Sequence, residues 1–327
     1  MTLILSDKDV RGLGDMSSLV ELLGSGLRAE AETTAVVPAR VNLDHGESML
    51  RVMPAILPGA GILGLKFFHG TLSGGIRYSV IVSDLASGEV LACVDAAYLT
   101  ALRTGATSGV ATRHLARADA ARVGLIGSGL EAETNLAAVC AVRPISEVKV
   151  YSRNPENRAD FAVRMAPRLD AEIVPVASPE AAVTGADIVV VATNTGRGGA
   201  PAFHGSCLEA GQHVVSIGST APFLRELDAE AFTRPDVVVF DVAHDAMVHE
   251  SGDLSAVADV SPEWRPAGTL ADLLADRVGR DDDAQVTLFK SVGSAAQDLI
   301  AAEAIYRLAC DQGVGLVVPD LSEPKTF

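Results

Sequence analysis

The chain has 327 residues, 48% hydrophobic and 21% charged, so it can bury a large core and is not a disordered segment. Acidic residues number 42 against 26 basic ones, and the net charge of −16 argues against nucleic acid or an anionic membrane as a partner. An anionic substrate is not excluded, because a pocket can be locally basic.

Cys93, Cys140, Cys207 and Cys310 are widely spaced, with neither metal-ligand pairs nor a disulfide pattern, and read as buried free thiols. No basic region precedes the short apolar run near Met1, and no stretch approaches ~18 uninterrupted apolar residues. The expected location is therefore cytoplasmic. Neither a metal nor a membrane is expected.

Residues 1–120 read as α+β. Ser18 to Glu21 fits a capping box, followed by Leu19, Leu22, Leu23 and Leu27 at helical spacing. Strand-like runs follow at 36–43, 48–57, 62–68, 76–84 and 89–94, the last two joined by a turn at 84–89. Asp95 is placed to cap a long helix over 97–115. From 121 onward strands and helices alternate, as a doubly wound parallel sheet demands. The apolar runs at 122–126, 147–151, 171–176, 187–192, 213–217, 237–241 and 286–289 supply the strands, and 293–309 reads as a helix returning to the first domain. The fold class is α/β, a Rossmann-type parallel sheet plus a second α+β domain. Residues 1–119 with 290–327 form the expected substrate-binding and dimerisation domain, and 120–289 the dinucleotide-binding domain.

The run Arg122 to Ile126 enters Gly127-Ser128-Gly129-Leu130-Glu131-Ala132 and then a helical segment. That is the strand, turn and helix context of a dinucleotide fingerprint. Gly127 suits the tight turn, Gly129 lets the backbone approach a pyrophosphate, and Ala132 permits close helix packing. The helix N-terminus supplies N–H groups and the positive end of a dipole. An ordinary β–turn–α unit is the alternative. At the end of the next strand, Ser152, Arg153 and Asn154 stand where an NAD site usually places Asp or Glu. A hydroxyl, a cation and an amide suit a 2′-phosphate, so NADP(H) is favoured, with NAD(H) possible.

Four basic residues lie inside otherwise apolar runs of the first domain: Arg40, Arg51, Lys66 and Arg103. Buried cations need anionic partners, either a substrate carboxylate or an internal acid. His69 follows the Lys66 run, and Arg51, His69 and Arg77 together suggest a second carboxylate on the substrate. No histidine pair has metal-ligand spacing, and neither a Gly-x-Ser-x-Gly elbow nor a Walker motif is present.

Taken in order, several stretches resemble the ornithine cyclodeaminase/μ-crystallin family over nearly the whole chain. They are Val37 to Arg40, Met53 to Ala55, Gly64 to Lys66, Leu99 to Ala106, Gly127 to Ala132, Arg225 to Asp228, Phe289 to Gly293 and Gln297 to Leu299. The resemblance implies an NAD(P)-dependent homodimer. It implies that Arg40, Lys66 and Arg103 hold a substrate α-carboxylate. Thr104, the 127–132 turn, Ser152 to Asn154, Thr193, Asn194, Thr195, Gly218 and Ser291, Val292 and Gly293 would line the cofactor. Cyclodeaminases in the family carry Glu where Arg51 stands, an acid at Thr220 and a lysine at Leu224. The alanine dehydrogenase-like branch resembles this chain at Arg51. The implied activity is reduction of the C=N bond of an α-imino acid or cyclic ketimine, with Lys66 or a bound water as proton donor. A cyclodeaminase-type lyase is the alternative.

Overall fold

The computed structural model describes residues 1–71, 73–319, 321 and 323–325. They fall into two units, Met1–Arg103 with Gly293–Phe327, and Thr104–Val292. In chain order the first unit begins with β1 (Thr2–Leu5), α1 (Asp7–Leu13), α2 (Met16–Ala31), β2 (Val41–His45), β3 (Ser48–Leu57), β4 (Ile62–Thr71), β5 (Gly75–Asp84), β6 (Val90–Asp95) and the start of α3 (Ala97–Leu115). The second runs through β7 (Arg122–Ile126), α4 (Leu130–Val142), β8 (Glu147–Tyr151), α5 (Pro155–Met165), β9 (Glu172–Pro175), α6 (Pro179–Val183), β10 (Ile188–Val191), β11 (His213–Ser216) and α7 (Glu230–Thr233). It continues with β12 (Val237–Phe240), α8 (His244–Glu250), α9 (Gly252–Val260), β13 (Gly268–Thr269), α10 (Leu270–Leu274) and β14 (Thr287–Lys290). Helix α11 (Ala295–Gln312) and β15 (Leu316–Val318) complete the first unit.

The first unit is one sheet in the order β15-β1-β6-β5-β4-β3-β2, antiparallel except where β1 pairs with β6. Helix α11 lies against β3 to β6 and beside α2. Two local expectations are corrected here. Ser18 is not the cap of α2; Asp15 is, its carboxylate accepting from the Ser18 N–H at 2.8 Å. The run at 36–43 is not one strand. Val36 makes an isolated bridge to Ile56, Pro38 has no N–H to give a ladder, and β2 starts at Val41. The expected turn after β5 is present, with the Asp84 N–H donating to the Glu89 carbonyl.

The second unit is an all-parallel sheet in the order β13-β12-β14-β11-β10-β7-β8-β9. Its apolar strands β10, β11, β12 and β14 are buried throughout, as helices on both faces require. Chain order reverses direction between β7 and β10, which is the topological switch point where such sheets bind ligands. The units divide at 103/104 and 292/293, where the sequence reading places the boundaries at 119/120 and 289/290. The reason lies at the C-terminal end of α3. Arg143 donates to the carbonyls of Arg113, Ala116 and Arg117, and Arg280 to that of Leu115, satisfying the last carbonyls of the helix from within the nucleotide unit. The cysteines form no disulfide, but they are not fully buried as expected: three are half-buried and Cys310 is exposed. No helix among the described residues is long and apolar enough to cross a membrane.

His213 is fully buried at the start of β11, between the hydroxyls of Thr112 and Thr287 at 3.3 and 2.9 Å. Burial, reinforced by Arg280 and Arg143, pushes its imidazole down to about 3. The native state therefore favours the neutral ring. Its contribution to stability is complete above pH 6.5 and is lost as pH falls toward 3, by about 1.4 kcal/mol per pH unit. Between pH 7 and pH 5 the wild type should lose about 2 kcal/mol more than His213→Gln in chemical denaturation. Equal losses in both proteins would remove His213 as the cause.

Candidate active site

Two of the four predicted cations meet. In β4, Lys66 lies opposite Met53 and Val80 and shares their buried sheet face. From α3, Arg103 reaches the first turn of α11. Lys66 Nζ donates to Asp298 Oδ1 at 2.9 Å, and Arg103 Nε lies 2.8 Å from the same oxygen. Arg103 Nη1 donates to Gln297 Oε1 at 2.7 Å. Lys66 and Asp298 side chains are 2% and 1% exposed, so the cluster is desolvated. Asp298 tolerates burial because two cations and the positive end of α11 face it. Phe68 and Tyr78 stand beside Lys66, their rings 5.9 and 5.5 Å from Nζ. Gly293, with φ of +84°, leaves room for the guanidinium; a Cβ there would sit 2.7 Å from Arg103 Nη1.

Arg51 and His69 do not join this cluster. Arg51 is on the Lys66 face but turns toward β2, donating to the carbonyls of Leu43 and Leu50 and pairing with Asp44 at 2.8 Å. His69 pairs in register with Leu50 and Arg77, on the face opposite to Lys66. Arg51, His69 and Arg77 therefore do not converge as a second carboxylate site, since strand residues of opposite parity point apart. Arg40 is half-buried just before β2. Asp298 and Gln297 were not among the expected site residues, although they lie in a stretch that carries the family resemblance.

In the nucleotide unit the fingerprint turn joins β7 to α4. Gly127 has φ of +129°, and a side chain there would strike the Ala192 carbonyl beyond β10. Gly129 is the N-cap of α4, with no side-chain cap, and a Cβ added to it meets no protein atom within 4 Å. Protein packing thus does not demand glycine at 129, whereas close approach of a pyrophosphate does. Ser128, Leu130 and Glu131 complete the turn, and Ala132 is fully buried beneath it. These residues fit a dinucleotide.

Beyond β8, Ser152 is half-buried and Arg153 exposed, its Nη2 donating to the Asn194 carbonyl at 3.1 Å. The Asn154 side chain caps α5 by accepting from the Glu156 N–H. Arg158, missed in the sequence, reaches back six residues from α5 to the Ser152 carbonyl at 2.8 Å. Thr193, Asn194 and Thr195 follow β10, and Gly218 follows β11. Ser291 and Val292 follow β14 and bond to Asp241, at 2.7 and 3.1 Å. Thr104 is buried in α3 at the start of this unit.

This architecture recurs in characterised proteins. Residues 1–313 match the model of the ornithine cyclodeaminase/mu-crystallin family. The Δ1-pyrroline-2-carboxylate reductase of Bacillus cereus is 32% identical over 330 residues, covering 96% of this chain and 98% of that one. The structure of Thermococcus litoralis Δ1-pyrroline-2-carboxylate reductase, in complex with NADH and L-proline, superposes with a TM-score of 0.89 at 33% identity, covering 97% of this chain and 100% of the other. An archaeal alanine dehydrogenase dimer with bound NAD gives a TM-score of 0.86 at 29% identity, with 96% and 98% covered. With the match spanning both units, the chain belongs to the ornithine cyclodeaminase/mu-crystallin family.

Proposed function

We propose that the protein is an NAD(P)H-dependent reductase of the C=N bond of an α-imino acid or cyclic ketimine. The observation that carries this reading is the convergence of Lys66 and Arg103 on Asp298 in a desolvated site. Two cations on one carboxylate oxygen make a locally positive point that suits a small carboxylate. When bound, the nicotinamide supplies the hydride that adds to substrate C2. Lys66 and Arg103 hold the α-carboxylate, and this orientation is a large part of the catalytic contribution. The proton for the substrate nitrogen would come from the Lys66 ammonium by way of Asp298, which the Lys66 Nζ touches. Thr220 and Leu224, standing where the resemblance gives cyclodeaminases an acid and a lysine, support reduction over deamination.

Arg153, Arg158 and Ser152 around the end of β8 support NADPH over NADH, because a 2′-phosphate gains charge-assisted hydrogen bonds. A homodimer is part of the same reading. The exposed apolar Val36, Val41 and Leu43 of the first unit support it, and the archaeal alanine dehydrogenase is a dimer.

The test is oxidation of NADPH and NADH with Δ1-pyrroline-2-carboxylate, its six-membered homologue, and 2-oxo acids mixed with ammonia or methylamine. Turnover with at least one imine is expected, with NADPH bound at least tenfold more tightly than NADH. Arg153→Asp should abolish that preference, a charge-assisted bond being worth about 1.5–3 kcal/mol. Proline formed from ornithine with release of ammonia, and no imine reduction, would reverse the assignment.

A further inference from the structure

A second buried charge cluster lies wholly within the nucleotide unit, and hydride transfer does not require it. Glu226, Asp253 and Lys290 have essentially no solvent exposure. Lys290 Nζ lies 3.1 Å from Asp253 Oδ2 and 4.0 Å from Glu226 Oε2, and it donates to Ser216 Oγ at 3.0 Å. Glu226 Oε1 accepts from the Thr193 N–H and hydroxyl at 2.6 and 3.0 Å. Its Oε2 accepts from the Gly218 N–H at 2.6 Å and the Ser216 hydroxyl at 2.7 Å. Asp253 Oδ1 accepts in turn from the N–H groups of Glu226 and Leu227, at 2.7 and 3.1 Å, and so fixes the segment that carries Glu226.

Thr193 lies just beyond β10 and Gly218 just beyond the adjacent parallel strand β11. Both are at the carboxyl ends of strands on one side of the switch point, where a sheet of this order faces its dinucleotide. Past the last ladder bond such amides need another acceptor. One carboxylate supplies it for both loops, and an added Cβ at Gly218 would collide with that carboxylate. Burial pushes the Glu226 carboxyl above its ordinary range, and Lys290 offsets only part of that rise. Well-packed apolar residues would give equal or greater stability than a buried ion cluster. What this cluster adds is a fixed loop geometry.

We propose that Glu226, braced by Lys290 and Asp253, is a positioning residue that sets the cofactor-facing loops at Thr193 and Gly218. The proposal rests on the reading that these loops line the cofactor. Glu226→Gln keeps the side-chain volume but puts a donor where two donors already point. It should raise the NADPH dissociation constant at least tenfold with one site still titrating per chain. The KM for Δ1-pyrroline-2-carboxylate should stay within twofold, and the Thr193 and Gly218 amides should exchange hydrogen at least tenfold faster. Ser216→Ala removes one donor without changing charge and should weaken NADPH about threefold; its result decides should Glu226→Gln fail to fold. Unchanged NADPH affinity in the variants that fold overturns the proposal. So does a loss of binding stoichiometry with no change in affinity, which marks a role in folding alone. If NADPH leaves amide exchange over 192–196 and 216–220 of the wild type unchanged, the failure belongs to the reading of the loops.

Discussion

Asp298→Asn should lower kcat for imine reduction at least a hundredfold, about 2.7 kcal/mol, with NADPH affinity unchanged and substrate KM altered less than fivefold. The asparagine keeps the shape and one acceptor for Lys66 and Arg103 but cannot carry a proton to the substrate nitrogen. Both cations converge on the Asp298 carboxylate, at 2.9 and 2.8 Å, so the substitution separates charge from geometry. Steady-state kinetics with NADPH titrated separately would check it. A normal kcat with only a lower melting temperature would make Asp298 a structural counter-ion.

Lys66→Met and Arg103→Met should each lower kcat/KM at least thirtyfold, about 2 kcal/mol, again with NADPH binding intact. Both also leave a buried carboxylate with one cation fewer, so a stability loss of about 3–5 kcal/mol accompanies the kinetic one. The two effects separate by temperature: the kinetic defect persists well below the melting transition. A variant losing stability while keeping its kinetics would move the substrate site elsewhere. For Lys66, a fall in kcat beyond the rise in KM would point to a part in proton transfer as well as binding.

Much of the fold was legible because the second unit's strands are buried on both faces and so read as unbroken apolar runs. Local choices were less so. Asp15 and Ser18 are both good caps, and only the extended backbone at Asp15 selects between them. Lys66 and Arg103 stood out as cations in apolar surroundings, a signal that needs no partner to be seen. Their partner did not: Asp298 reads as an ordinary acid in the first turn of a capped helix, and it lies 232 positions from Lys66. The parity of β4 already separated His69 from Lys66, since residues three apart in a strand face opposite ways. Arg158 was hidden because its link to Ser152 depends on how α5 starts after Asn154.

The first unit is assembled from two stretches of chain, with the whole nucleotide unit between them. This has a consequence for synthesis. At about 5–20 residues per second, the 232 positions from Lys66 to Asp298 take on the order of ten to fifty seconds to translate. During that interval β3 to β6 have emerged from the ribosome while α11, the helix that covers them, has not. Lys66 then lacks Asp298, and burying an ammonium short of a counter-ion is costly. The nascent sheet must therefore keep that face in water, or held by other factors, until the last helix arrives. The final step of folding and the completion of the Lys66–Arg103–Asp298 cluster are then the same event.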